Sequence, residues 1–384
     1  MNVCMLAPEN SPSWGGVGAY TFNLLKNIPA DEIHVVTINR EIEDSFDKIL
    51  DDRFIIHKVT DINPKDSFFC NFKFQLALLN KLKNLNSQYA FDVIHSHSGH
   101  IPHLFAQFQN TAPIAVTVHA TVRGLSKGLS SCKSKGSKTE SLMKFFSLGI
   151  EEGEKIGFKK AALLLPVSNF TSQQITEDYG YQEFNKIKVE YNAVDTSLFV
   201  PYENENEVPL ILFVGRLYAI KGLDTFLDAL EILSKTRLNF KVRIVGRGDT
   251  KRVYERLSKL FEKDRFEILG RVTYFDMPAI YQQANILVVS SIYENCPTNI
   301  LEAMSTRTLV IASSVGGIPE IINHEYNGFL YPRGNSVRLA ELLRKTINNE
   351  IDCDKILKNA YNTILEKFTW KKRGEEIFNE YKKL

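Results

Sequence analysis

Two carboxylates, Glu294 and Glu302, stand at the ends of the segment Glu294-Asn295-Cys296-Pro297-Thr298-Asn299-Ile300-Leu301-Glu302. The apolar run 286–290 before them reads as a strand, and Thr298 or Asn299 as a helix start. Glu294 then lies in a strand-to-helix loop, and Glu302 in the first turns of the helix, so both can address one ligand. A carboxylate accepts the paired hydroxyl hydrogen bonds that a ribose or hexose offers, and free amides at a helix start hold phosphate. A helix also favours an acid near its amino end on electrostatic grounds, which is an ordinary structural explanation for Glu302 alone.

Two further stretches carry charge or backbone amides in useful places. Gly215-Arg216-Leu217-Tyr218-Ala219-Ile220-Lys221-Gly222 follows the apolar run 210–214. On a strand-to-helix turn the fork of Arg216 and the mobile point charge of Lys221 can converge on a diphosphate. Two solvated surface charges are the plain alternative. Near the start, Trp14-Gly15-Gly16-Val17-Gly18 precedes a helical segment beginning near Tyr20. Glycines let backbone amides approach a phosphate, but the third glycine of a dinucleotide fingerprint is missing, and a tight turn explains the stretch equally well.

The elements that must position these groups alternate along the chain. Apolar runs at 3–7, 33–38, 54–59, 93–95, 114–118 and 163–167 read as strands, with helical stretches such as 20–28 and 72–85 between them. This is a βαβ rhythm. The polar stretch 201–209 interrupts it and reads as a connector. A second parallel series follows at 210–214, 240–245, 266–269, 286–290, 309–312 and 328–331. The expected architecture is α/β, with two doubly wound Rossmann-like domains facing across a cleft. Open parallel sheets bind ligands beyond the carboxyl ends of their strands.

Composition agrees with this layout. The 384 residues suit two domains of ordinary size, and 44% apolar with 24% charged residues exclude disorder, collagen-like repeats and coiled coil. Lys+Arg of 47 against Asp+Glu of 45 gives a net +2, which argues against nucleic acid as a partner. Five scattered cysteines, Cys4, Cys70, Cys132, Cys296 and Cys353, form no disulfide scaffold or structural zinc pattern and are expected to be reduced. The amino-terminal residues lack a signal-peptide pattern and no apolar run reaches a membrane span, so a cytoplasmic chain is expected. The stretch 123–146 carries Arg123, Lys127, Lys133, Lys135, Lys138 and Lys144 against Glu140 alone. It reads as a mobile basic loop, solvated in the first reading, and in the second facing an acceptor or making a peripheral contact at the inner membrane face.

Together these pieces resemble the retaining glycosyltransferases of the GT-B fold, specifically glycosyltransferase family four (glycosyl transferases group 1). Glu294 and Glu302 match its Glu-x7-Glu signature, and Gly215-Arg216-Leu217 through Lys221-Gly222 its phosphate-binding turn. Similarity extends to Gly15-Gly16-Val17-Gly18, to Tyr191-Asn192-Ala193-Val194-Asp195 and to Val315-Gly316-Gly317-Ile318-Pro319-Glu320, nearly the whole chain. The resemblance implies an acceptor-side domain at 1–195, onto which the helix at 368–384 packs back, and a donor-binding domain at 196–367. It implies Arg216 and Lys221 as the diphosphate clamp, assisted by the amides of Thr298, Asn299 and Ile300. Glu302 would bind the ribose, and Glu294 the transferred sugar, with Asn295, Cys296 and Pro297 shaping that pocket. Gly270, Arg271 and Val272 would meet the base, Gly246 would border the nucleotide, and Gly16 the phosphates or acceptor. His119 corresponds to a family histidine near the donor sugar, so the implied catalytic set is Glu294, His119, Lys221 and Arg216.

Some features point elsewhere or depart from the family. His95, His97, His100 and His103 suggest zinc at first sight, but without a nearby cysteine they read as acceptor lining or hydrogen-bonded packing. Gly246-Arg247-Gly248-Asp249 lacks the third glycine of a dinucleotide loop. Asp352-Cys353-Asp354 has the spacing of the GT-A metal pair yet sits in a polar helical region, so neither metal nor cofactor is expected. Asn295 and Ala193 stand where relatives commonly have glycine, and Trp370 reads as a packing anchor. The expected reaction moves a sugar from a nucleotide-diphosphate sugar, UDP-linked in the first reading, to a sugar, lipid-linked or small-molecule acceptor. A catalytically silent nucleotide-sugar sensor and a GT-B-like epimerase are the alternatives.

Overall fold

The structure is a computed structural model of the chain and describes residues 1–39, 44–61, 70–98, 112–132, 150–203 and 206–384. These divide into two compact units. Unit 1 comprises Met1–Leu125, Phe145–Asn192 and Trp370–Leu384, and unit 2 comprises Ser126–Lys144 and Ala193–Thr369. The chain thus passes to unit 2 at Ala193, three residues ahead of the expected crossing at 196, and returns at Trp370. The described residues 126–132 group with unit 2, whereas the sequence placed all of 1–195 together.

Unit 1 holds a six-stranded parallel sheet. Its strands are β1 (Asn2–Ala7), β2 (Glu32–Asn39), β3 (Phe54–Asp61), β4 (Val93–Ser98), β5 (Ile114–Val118) and β6 (Leu163–Pro166), in the order β3-β2-β1-β4-β5-β6. Val3 to Ala7 and Val116 to Val118 are buried, as strands covered by helices on both faces require. The helix Gly16–Asn27 starts at the glycines themselves, ahead of the expected Tyr20, because glycine carries no apolar periodicity to reveal it. A Cβ on Gly18 would stand 2.1 Å from the Ser11 carbonyl oxygen, so that glycine is fixed by packing against the preceding turn.

The last helix, Trp370–Tyr381, buries Trp370, Arg373, Gly374, Ile377, Phe378 and Tyr381, one face at helical spacing. Gly374 lies so close to Asn27 that a Cβ would approach its carbonyl oxygen to 2.2 Å. Arg373 pairs with buried Glu190, whose pKa burial raises against the opposing pull of that arginine. Trp370 meets Tyr20 edge-on, with ring centroids 5.0 Å apart.

Unit 2 repeats the architecture. Its strands are β7 (Leu210–Val214), β8 (Lys241–Val245), β9 (Phe266–Gly270), β10 (Ile286–Val289), β11 (Leu309–Ser313) and β12 (Phe329–Tyr331), in the order β12-β11-β10-β7-β8-β9. All pairings are parallel. The helix Leu223–Ser234 shows why the layers hold: Leu223, Phe226, Leu227, Leu230 and Leu233 are buried at spacings of three and four. Each contributes about 1.5–3 kcal/mol on burial. Strand order reverses between β7 and β10, so this sheet has its switch point there, and crevices at switch points take ligands. Ala193, where the resemblance leads one to expect glycine, is buried without a left-handed backbone. Alanine is accommodated there.

Candidate functional site

The carboxyl ends of β7 and β10 bring the first two motifs together. The Gly215–Lys221 turn is held to the segment after β10 by the Ser290 hydroxyl, which donates to the Gly222 carbonyl at 2.8 Å. The Ile292 N–H donates to the Ile220 carbonyl at 2.8 Å. Gly222 has φ +65°, and a Cβ there would lie 1.7 Å from the Ser290 oxygen, so only glycine permits the approach. The result places the Lys221 ammonium in an ion pair with Glu294 Oε1. Glu294 is 9% exposed and also accepts from the Ser291 hydroxyl at 2.9 Å. Lys221 keeps further N–H donors for a ligand, since an ammonium has three.

Next to this pair the helix Thr298–Ser305 begins. Its N-cap is Pro297, which supplies no side-chain acceptor, so the amides of Thr298, Asn299 and Ile300 have no side-chain cap. The helix is anchored by Asn299, whose Nδ2 donates to the Val214 carbonyl at 3.0 Å. Asn299 Oδ1 is buried with no hydrogen-bond partner among the described residues. Asn295 and Cys296 are buried in the preceding loop. One turn on, Glu302 accepts from the Tyr281 hydroxyl at 2.6 Å and from Thr298. Burial raises the Glu302 pKa above the ordinary carboxylate range despite those two donors. Burial and the Glu302 charge in turn push the Tyr281 phenol well up.

On the other side of β7 the same level of the sheet is cationic. A Gly-Arg pair stands at the carboxyl end of each of β7, β8 and β9: Gly215-Arg216 and Gly246-Arg247 just after their strands, and Gly270-Arg271 across the end of β9. The Gly246 N–H donates to the Gly270 carbonyl at 2.6 Å, and the Leu217 N–H to the Arg247 carbonyl at 2.8 Å. Gly246 has φ +151° and a Cβ there would meet the Gly215 oxygen at 1.8 Å. Burial first, then the like charges of Arg271 and Arg216, lower the Arg247 pKa. Three guanidinium groups thus share one neighbourhood, and Val272 follows them half-buried. Sequence reasoning rejected a dinucleotide loop here and kept the turn at Gly246 as a border of the nucleotide, without naming Arg247 as a site residue. The repeated Gly-Arg at successive strand ends was the signal available for it. Ser291 and Tyr281, which support the two carboxylates, had none.

The remaining predicted residues lie in unit 1. Gly16 opens its helix with free space where a Cβ would be. His119 follows β5, half-buried, with Nε2 3.3 Å from Nδ1 of His97. His95 and His97 are engaged in packing: His95 bonds to Tyr381 and to Thr117 at 2.8 Å, and His97 to Thr21 at 3.2 Å. His100 and His103 lie outside the described residues. Of the basic stretch 123–146, the part through Cys132 is described, and Val122–Ser130 is helical where a loop was expected. The Thr121 hydroxyl takes the Gly124 N–H at 3.0 Å, and buried Glu154 takes the Val122 N–H at 2.9 Å, which caps the helix start. The lysines from Lys133 onward lie outside the described residues. Among the described residues no helix is long and apolar enough to cross a membrane.

Comparison with known proteins agrees with this fold. Residues 14–198 match the profile of Glycosyltransferase Family 4, and residues 195–363 that of Glycosyl transferases group 1. An uncharacterised glycosyltransferase of Methanocaldococcus jannaschii is 28% identical over 76% of this chain and 75% of its own length. A second from the same organism is 26% identical over 97% and 96%. The solved structure of Anabaena HepE in complex with UDP-glucose covers all of both chains with a TM-score of 0.77 at 20% identity, a likeness of fold.

Proposed function

The chain belongs to glycosyltransferase family four, its two halves carrying that family's two successive profiles, and from this premise we propose a specific reaction for an enzyme of glycan biosynthesis. It transfers a sugar, with retention and without a metal ion, from a nucleotide-diphosphate sugar, UDP-linked in the first instance, to a hydroxyl acceptor. The acceptor is a sugar, a lipid-linked glycan or a small molecule on the way to a cell-surface glycan, glycolipid or polysaccharide. HepE, which shares the fold, was solved with UDP-glucose, and this supports the donor class.

The observation that carries the reading is the Lys221–Glu294 pair at the β7/β10 switch point beside a helix start without a side-chain cap. Transfer develops negative charge on the departing β-phosphate. Lys221, Arg216 and the amides of Thr298, Asn299 and Ile300 supply fixed positive charge and dipoles for it, a role in which preorganised donors contribute most. Glu294 accepts hydrogen bonds from hydroxyls of the transferred sugar while holding Lys221 in place. Glu302, steadied by Tyr281, accepts from the ribose, and Arg271, Val272 and Arg247 border the base. A front-face route, with the leaving phosphate oxygen taking the acceptor proton, requires no protein nucleophile.

The test is turnover of UDP-, GDP- and ADP-sugars in the presence of a chelator, followed by mass spectrometry, with the anomeric configuration of the product read by proton NMR. Release of nucleoside diphosphate and a product of unchanged configuration support the reading. Tight binding without any turnover across a broad acceptor panel would instead favour a nucleotide-sugar sensor.

A further inference from the structure

Glu302 is held by a hydroxyl that its own helix does not supply. Tyr281 stands in the separate helix Met277–Gln282 and is fully buried. Its hydroxyl lies 2.6 Å from Glu302 Oε2. A phenol has one hydrogen and an ionised carboxylate only accepts, so Tyr281 is the donor. Burial and the Glu302 charge keep the phenol in that neutral, donating form. The ring is fixed from two sides: the Thr308 hydroxyl donates to the Tyr281 carbonyl at 2.9 Å, and Phe199 meets the ring edge-on with centroids 6.0 Å apart. Phe199 is fastened in turn by the Ser305 hydroxyl, which donates to its carbonyl at 2.5 Å.

The second fixed donor to the carboxylate is Thr298, one turn earlier on the same helix face. An ionised carboxylate offers about four acceptor positions. Tyr281 and Thr298 fill two of them, and the remaining two belong to a side chain that is half-buried and so still open to a ligand. Two acceptor positions on one carboxylate match the two hydroxyls of a vicinal diol. The electrostatic preference for an acid near a helix start accounts for Glu302 itself, but not for a buried tyrosine hydroxyl aimed at it from another helix.

We propose that Tyr281 is a positioning residue that sets nucleotide specificity: it fixes one oxygen of Glu302 so that the carboxylate meets both hydroxyls of a ribose, and the site takes ribonucleotide donors and rejects their 2′-deoxy counterparts. This deepens the function proposed above and rests on it for the ligand, whereas the arrangement of donors rests on unit 2 alone. A 2′-deoxy ligand leaves one acceptor position of a half-buried carboxylate without its hydroxyl, which lowers affinity by about 10- to 100-fold. Without the Tyr281 hydroxyl, Oε2 faces an apolar ring and the carboxylate turns toward other donors, so the second ribose hydroxyl loses its fixed acceptor. The loss falls on binding and not on the chemical step, because the ribose is held alike in the ground state and the transition state.

The test is calorimetric titration of the full chain with UDP, GDP and ADP, each against its 2′-deoxy counterpart. Wild type is expected to bind the ribonucleotide of one base about 10- to 100-fold more tightly than its 2′-deoxy form. Tyr281→Phe, which keeps the ring, is expected to weaken the ribonucleotide about tenfold and the deoxy form by less than about threefold, and in turnover to raise donor KM with kcat little changed. The Tyr281 hydrogen bond lowers the Glu302 pKa, so its removal raises that pKa further, and ribonucleotide affinity should be lost on acidification at a higher pH than in wild type. Equal affinity of wild type for the two forms overturns the inference without recourse to a variant and leaves the functional reading standing. Equal weakening of both forms, or an unchanged pH profile, in a Tyr281→Phe protein that melts as wild type does overturns the positioning role. Binding of none of these nucleotides by wild type sinks the functional reading and the inference with it.

Discussion

Replacing Lys221 with methionine removes one ammonium from the switch-point site while keeping the stem that packs beside Gly215, whose Cβ position lies 3.8 Å from Lys221 Cγ. Two consequences can be sized separately. In the resting protein the substitution breaks the pair with Glu294, whose side chain is 10% exposed against 31% for Lys221. Removing one partner of a fully buried pair costs about 3–5 kcal/mol, and the exposure of Lys221 together with the remaining Ser291 donor reduces that to roughly 1–2 kcal/mol. In the transition state the loss is larger. A preorganised donor aimed at developing charge contributes about 2.7–4 kcal/mol, or a 10²- to 10³-fold fall in kcat. The assay is initial-rate release of nucleoside diphosphate, with thermal unfolding measured in parallel. Glu294→Gln completes a double-mutant cycle for the charge–charge part of the pair, because it removes the negative charge while its amide oxygen still accepts from Ser291. Lys221→Met activity within threefold of wild type, in a protein that melts normally, would refute the assignment.

Other outcomes follow from the same geometry. Glu302 has a folded-state pKa raised by burial, so folding favours its protonated form. Its contribution to stability is present below the ordinary value of 4.5 and is lost as pH rises through the raised one. Glu302→Gln should therefore gain thermal stability relative to wild type between pH 4.5 and neutrality while weakening nucleotide binding, and a difference in melting temperature that does not move with pH would contradict this. Gly246→Ala forces a backbone shift at the Gly215 oxygen and should cost over about 3 kcal/mol, whereas Gly270→Ala, at φ +61° with open space, should cost about 1 kcal/mol; denaturant titration separates them. Arg247→Ala relieves the repulsion from Arg216 and Arg271. Its melting temperature should not fall, while nucleotide affinity drops about three- to tenfold with a shallower salt dependence in calorimetry.

Much of the scaffold was legible because most strands contain a short apolar run between polar or glycine-bearing turns. The Lys221–Glu294 pairing was also within reach, since a doubly wound sheet brings the ends of β7 and β10 side by side. What escaped depends on distant partners. Val122–Ser130 contains two glycines and reads as a loop, and its helix is fixed by Glu154, which lies far along the chain. Tyr281 reaches Glu302 from a separate helix, and no local pattern announces that contact. Arg247 was visible as a residue but was judged against a dinucleotide fingerprint, when the relevant regularity was Gly-Arg repeated across three strands. The glycine stretch near the start reads equally as a phosphate-binding turn or a plain tight turn; Gly18 is required by packing against Ser11, whereas Gly16 has open space where a Cβ would stand.

The central claim is that unit 2 holds a nucleotide-diphosphate sugar through Lys221, Arg216 and Glu294 and activates it for transfer. The most direct measurement is mass-spectrometric quantitation of donor consumption by wild type and Lys221→Met across UDP-, GDP- and ADP-sugars. The account predicts that wild type consumes one nucleotide class, UDP first, and that the variant retains at most about one-hundredth of that rate. Equal consumption by both proteins, or none of any donor by wild type, would contradict it.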